Sequence, residues 1–143
     1  MQRFLGALGA IVATVAACGG DDSPASGDPS MLIVNASDFE FELDRFEVEA
    51  GRDITVQLRN RGAIEHTWTV LDAGVQVATA EDIVETDILW SVRADAAQSE
   101  NLVTVSPPAG TYQVICTMPG HLEAGMEATL VSTGAGSALA SGF

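Results

Sequence analysis

Four residues of this chain carry donor atoms in a spacing that suits one metal ion: His66, Cys116, His121 and Met126. Three of them lie in GTYQVICTMPGHLEAGM, residues 110–126, as Cys116-x4-His121-x4-Met126. A helix cannot present these three together, because offsets of five and ten residues do not share a face and Pro119-Gly120 would break it. A loop between two strands can, with Pro119, Gly120 and Gly125 letting it fold back until the donors converge. His66 stands 50 positions before Cys116 and must reach the same place from a different strand. Two imidazoles, one thiolate and a weak thioether are the donors of a trigonal His₂Cys copper site with a long axial Met. Zinc prefers a harder or more anionic fourth ligand, so a structural zinc domain is the alternative that metal analysis separates.

The rest of the inventory narrows the chemistry. A two-copper site needs a second Cys in the loop, and type 2 or trinuclear centres need more His than the two present. No second catalytic metal can be built, and four protein ligands leave no open position for substrate, so the chain is not expected to be an enzyme. Taken singly, each ligand has a plainer explanation: a core histidine, a small buried thiol, a packing methionine. Their joint spacing is what argues for a site. Tyr112 reads as a corner or core tyrosine, and Trp68 and Trp90 read as core aromatics.

Something must hold those donors. From Met31 onward the pattern is period two, with turn signals every eight to twelve residues. Candidate strands are 31–36, 39–50 (broken near Asp44), 53–60, 65–71, 74–80, 102–106, 110–116 and 125–131. That spacing predicts an all-β fold, an antiparallel β-sandwich of about 7–8 strands and roughly 100 residues. Residues 81–101 hold either a short helix near 94–100 or a crossing loop. Alternation puts His66, Trp68 and Val70 on one face, Tyr112, Val114 and Cys116 on another, and Met126, Ala128 and Leu130 on a third. Each apolar row runs into a ligand.

The first thirty residues read as an address and a tether. Arg3 and the 14-residue apolar run from Phe4 to Ala17 follow the secretory layout, and the run is short for a membrane span of about 20 residues. Val15-Ala16-Ala17-Cys18-Gly19 resembles a lipobox, which makes residues 1–17 a lipoprotein signal peptide and Cys18 the lipidated first residue. The alternative is an ordinary signal peptide cut at Ala17. Residues 18–30 then form a Gly/Ser/Pro/Asp-rich flexible linker reaching about 20 Å, residues 31–132 the folded domain, and residues 133–143 a frayed tail. With Cys18 lipidated, Cys116 is the one remaining thiol and no internal disulfide can form. These features place the protein at the outer face of the cytoplasmic membrane or in the periplasm.

Charge speaks to partners. Twenty Asp plus Glu face 6 Arg and no Lys, a formal net charge of −14 in 143 residues. Such a chain repels nucleic acid, whose binding depends on cationic side chains at phosphates. At 47% apolar and 18% charged it is a folding domain with an acidic surface, not a disordered acidic tail.

The run Gly110-Thr111-Tyr112, Cys116-Thr117-Met118-Pro119-Gly120-His121, Gly125-Met126 and Leu130, with Asn60 and His66 upstream, closely resembles the cupredoxins, the blue copper proteins. The Cys-to-His spacing is similar to that of auracyanin and rusticyanin and longer than in plastocyanin. Asp38-Phe39-x-Phe41, Val48-x-Ala50-Gly51 and Ile54-Thr55-Val56 are similar to the family's first strands, so the resemblance covers about 31–131. It implies a Greek-key sandwich, one copper ion cycling between Cu(I) and Cu(II), and one-electron transport. His121 would be the electron port, lined by Met118, Pro119, Leu122 and Ala124, with His66 buried. Partners would be redox proteins, such as a c-type cytochrome or a membrane oxidoreductase complex, with a basic docking face, met by a monomer. Copper storage or delivery without redox turnover is the rival. Three positions depart from relatives. Thr67 stands where many have Asn, with Thr117 able to tie the ligand loops instead. Ile115 stands where plastocyanin has Tyr, and Glu123 puts a carboxylate two residues from the port, as a solvated charge or a docking aid.

Overall fold

The computed structural model describes residues 30–96 and 99–134. The expected signal peptide, the expected lipidation site Cys18, and the expected linker up to residue 29 and tail from residue 135 lie outside the described residues. Nine strands are described: β1 (Ser30–Ser37), β2 (Glu40–Phe41), β3 (Arg45–Glu49), β4 (Ile54–Asn60), β5 (His66–Leu71), β6 (Ile88–Ala94), β7 (Glu100–Val105), β8 (Gly110–Ile115) and β9 (Glu127–Thr133). They form two sheets, in the orders β2-β1-β4-β7 and β3-β9-β8-β5-β6.

The all-β sandwich is as expected, but it is mixed where an antiparallel one was expected. β1 runs parallel to β4, and β3 parallel to β9. The cause is the break in 39–50: β2 turns back on β1, and residues 42–44 carry the chain across so that β3 joins the other sheet beside β9.

Alternating side chains from both sheets meet in one core. Val34 and Ala36 of β1 and Ile54, Val56 and Leu58 of β4 pack with Trp68 and Val70 of β5 and with Tyr112 and Val114 of β8. Ala128 and Leu130 of β9, beside β8, complete it. A fully buried side chain of this size contributes about 1.5–3 kcal/mol relative to an exposed one. Trp68 is fully buried and meets Phe46 edge-on at 5.8 Å, while the Tyr112 hydroxyl donates to the Pro108 carbonyl at 2.7 Å. Both are structural, and Tyr112 is the corner tyrosine the sequence allowed.

Two stretches depart from expectation. Residues 74–80 are not a strand, because β5 already has β6 on one side and β8 on the other. The segment crosses the outer face of that sheet, where Val75 and Val77 pack against Leu71, Ile115 and Leu122. One residue substitutes for a sheet partner: the Gln113 side chain accepts from Val77 N at 2.8 Å and donates to Val77 O at 2.9 Å. Residues 81–101 hold two short 3₁₀ turns and strand β6, and 94 and 100 are strand residues instead of parts of a helix. The β5–β6 register shifts between Val70 and Leu71, which interrupts the alternation that would have announced β6.

Candidate metal centre

The antiparallel pairing of β5 with β8, and of β8 with β9, brings three strand ends to one end of the sandwich. His66 is the first residue of β5, Cys116 directly follows β8, and Met126 directly precedes β9. The Cys116 amide donates to the Met126 carbonyl at 3.2 Å, so these two close the ladder before the ligand loop opens. The loop then folds back on itself. His121 N donates to Met118 O at 3.0 Å, and Met126 N donates to His121 O at 2.9 Å. Gly120 at φ +80° and Gly125 at φ +98° supply the left-handed conformations that the fold-back needs.

The donor atoms of His66, Cys116 and His121 all lie within 4.8 Å of one another, and all three residues are buried. Cys116 Sγ stands 3.3 Å from His121 Nδ1 and 4.0 Å from His66 Nδ1. Thiolate and imidazole bonds to a small divalent ion, at about 2.3 and 2.1 Å in a trigonal plane, put sulfur and nitrogen about 3.8 Å apart. The observed separations bracket that value, so the donors fit a single ion, and two His and one Cys beside a buried methionine form the donor set that suits copper. Met126 is fully buried and tied through its backbone to both Cys116 and His121.

Around the sulfur lies a small polar network. Thr67 N points at Cys116 Sγ from 3.4 Å and Thr67 Oγ1 from 3.9 Å. Thr67 Oγ1 accepts from Thr117 N at 2.8 Å and sits 3.0 Å from Thr117 Oγ1, which joins the two ligand loops. The chain continues through Thr69 to Ser91, at 3.3 and 2.7 Å. Thr67 therefore does the tying with a hydroxyl, in partnership with Thr117. Glu123 is exposed and accepts from Ala80 N at 3.3 Å, pinning the crossing segment to the ligand loop.

The surroundings of His121 differ from expectation at one residue. Met118 is half-buried, and Pro119 and Ala124 are exposed around it, but Leu122 turns inward to pack with Leu71 and Ile115. A residue that the sequence reading placed only in the first strands is present instead. Phe39, 49% exposed, lays its ring against His121 with centroids 4.9 Å apart. Its neighbour Asp38, likewise read only as part of that match, also reaches the site. Asp38 Oδ1 lies 3.4 Å from His66 Nε2 and accepts from Ala63 N at 2.9 Å. Both residues sit in the two-residue turn between β1 and β2, where Phe39 holds φ at +70°. The available signal was Asp-Phe at the end of a strand with a Phe two residues on.

Burial, and next the neighbouring His66, push the His121 imidazole below its ordinary 6.5, against a smaller opposing pull from Asp38 and Glu123. For Asp38, burial acts to raise the carboxyl. The amides of Ala63 and Ile64 and the bond and charge of His66 together outweigh it, and the net shift is downward from 3.8. A depressed folded value means the unfolded chain binds the proton more readily, so stability rises with pH in that window. The metal-free protein is thus expected to hold this stability above about pH 6.5 and to lose it as pH falls, first through His121 and then, below about 3.8, through Asp38. Urea midpoints between pH 8 and 5 test the first step, and His121→Gln should flatten it.

A two-sheet sandwich with a buried His₂Cys cluster and a methionine at one end defines the class of mononuclear type 1 copper proteins. The chain belongs to the plastocyanin/azurin family of copper-binding proteins, whose family model matches residues 30–132. Auracyanin-A of Chloroflexus aurantiacus is 28% identical over 145 aligned positions, covering 84% of this chain and 90% of that one. The copper-resistant cuproprotein CopI of Rubrivivax gelatinosus is 27% identical over 112 positions, covering 75% and 68%. The crystal structure of dithionite-reduced auracyanin from Roseiflexus castenholzii superposes with a TM-score of 0.65 at 22% identity, covering 74% of this chain and 98% of that one.

Proposed function

We propose that this protein carries single electrons between redox partners from the outer side of a membrane to which Cys18 tethers it. One observation carries the electron-transfer reading: both imidazoles and the Cys116 sulfur are gathered, buried, at one end of a packed sandwich. When bound, copper supplies a one-electron couple between Cu(I) and Cu(II). The chain's contribution is to hold one donor set that suits both states tolerably: His66, Cys116 and His121 would hold the ion, with Met126 as a weak fourth ligand. Packed walls resist rearrangement, and a site that rearranges little exchanges electrons quickly. His121 is the port, because it keeps 5% exposure where His66, Cys116 and Met126 have none, and the half-exposed Phe39 ring lies against it. A visible and electron paramagnetic resonance spectrum of the copper-loaded protein, with a redox titration, tests this reading. An irreversible couple would sink it.

The partner is proposed to present a basic face, a c-type cytochrome or a membrane oxidoreductase. Cleavage after residue 17 removes Arg3 and leaves 5 Arg against 20 carboxylates, or −15. Long-range attraction of that size steers encounter and is screened as the Debye length shrinks from about 30 Å at 0.01 M salt to about 10 Å at 0.1 M. Electron exchange with a cationic cytochrome, followed by stopped flow, is expected to slow by about tenfold or more over that range. A salt-independent rate leaves the acidic surface without this role.

The name of the CopI relative favours a second reading, in which the protein sequesters or delivers copper without redox turnover. Delivery sites are exposed and flexible, whereas this donor set is buried. Rapid loss of copper to a chelator would favour delivery; slow loss with reversible cycling favours the carrier.

A further inference from the structure

We infer that Asp38 is a positioning residue for the copper centre: it fixes the His66 ring with Nδ1 free toward the metal, and its charge favours the oxidised state. This rests on the type 1 copper reading above. Four observations support it. The two nitrogens of His66 look in different directions, Nδ1 toward Cys116 Sγ at 4.0 Å and Nε2 toward Asp38 Oδ1 at 3.4 Å. His66 is wholly buried, so the carboxylate is the acceptor set against a nitrogen that water does not reach. The carboxylate is itself held, by Ala63 N at 2.9 Å and Ile64 N at 3.4 Å. Finally, the chain keeps space for it: a Cβ at Gly62 would lie 2.0 Å from Asp38 Oδ1 and 3.0 Å from Asp38 N.

The consequence follows from ordinary imidazole chemistry. A neutral imidazole carries one proton, and a carboxylate at Nε2 holds that proton there, leaving the Nδ1 lone pair for a metal. A partner of this kind raises the basicity of the ligand and fixes its orientation, and its loss typically costs 10–100-fold in metal affinity. A fixed negative charge also stabilises the +2 ion more than the +1 ion, so Asp38 acts to lower the reduction potential. Phe39, next in the same turn, lies on the other imidazole. One tight turn thus contacts both histidines.

The test uses two variants that separate charge from position. Asp38→Asn keeps an oxygen for the Ala63 and Ile64 amides but removes the charge, whereas Gly62→Ala keeps the charge and displaces the carboxylate. In both, Cu(II) affinity should fall about 10–100-fold. In Asp38→Asn, which loses the charge, Cu(I) affinity should fall about tenfold less, a difference equivalent to a potential rise of about 59 mV for one electron, whereas Gly62→Ala, which keeps it, should lower both affinities more nearly together. Nitrogen-15 shifts of His66 in the metal-free protein give a readout that needs no copper. The wild type should show protonated Nε2 and bare Nδ1, and Gly62→Ala a mixture of tautomers. Protonated Nδ1 in the wild type, or an unchanged potential in a folded Asp38→Asn protein, overturns the assignment. Failure of the wild type to become blue overturns the copper reading instead, and the metal-free tautomer still decides whether Asp38 orients His66.

Discussion

Copper(II) mixed with the purified protein turns it intensely blue, and the same copper mixed with the Cys116→Ser protein leaves it essentially colourless. The expectation follows from the atom, not from the pocket. A thiolate is a soft donor that gives up electron density to copper(II) in visible light; a serine hydroxyl at the same place is hard and stays protonated. Ser matches Cys in shape, so the walls persist. Cys116 lies fully buried in the core cluster, and its sulfur already faces Thr67 N and both imidazoles. A hydroxyl there meets the same donors, so the cost to folding should be about 1–2 kcal/mol, well inside a stability of about 5–15. Loss of a second-layer partner costs 10–100-fold in metal affinity, so loss of the thiolate should cost about 100-fold or more. Absorption and equilibrium dialysis measure the two effects. A colourless wild-type protein saturated with copper contradicts the type 1 site.

The ligand rows were legible because strand periodicity is rigid. Once residues 66–70 and 110–116 are read as strands, side chains two apart must share a face, and the apolar row ends on His66 or Cys116. The pattern said nothing about which segments pair. Residues 74–80 alternate as well as β7 does, yet they lie outside the sheet, because both flanks of β5 are filled and the Gln113 amide satisfies Val77. Parallel pairing of β1 with β4 was equally hidden, since it depends on where the chain crosses between sheets. Asp38 and Phe39 were not read as site residues for another reason. Their role comes from a turn that places Phe39 at positive φ, a conformation a phenylalanine does not advertise. Thr67 was seen as a departure, but its use depended on Thr117 Oγ1 arriving 3.0 Å away from the other loop.

Asn60 connects the fold to the site, and replacing it should damage both. It closes β4 just before the loop that delivers His66, and it is 1% exposed. Its amide group donates to Ile64 O at 2.6 Å and to Asp95 O at 2.8 Å, and its oxygen accepts from Gly62 N at 2.8 Å. One side chain thereby joins both ends of the loop 60–64 to the end of β6. Three hydrogen bonds at about 1 kcal/mol each, with backbone groups left short of partners, make Asn60→Ala cost about 3–5 kcal/mol. Asn60→Asp keeps the acceptor for Gly62 N but turns a buried carboxylate oxygen toward two carbonyls, so it should destabilise at least as much as alanine. Urea unfolding of the metal-free proteins measures these costs, and a loss under 1 kcal/mol in both variants contradicts the role. The site effect is separable. Gly62 borders the Asp38 carboxylate, and Ile64 N donates to it, so a loosened loop should disturb His66 before it disturbs Cys116. Copper affinity should then fall in a folded Asn60→Ala protein while the thiolate colour survives.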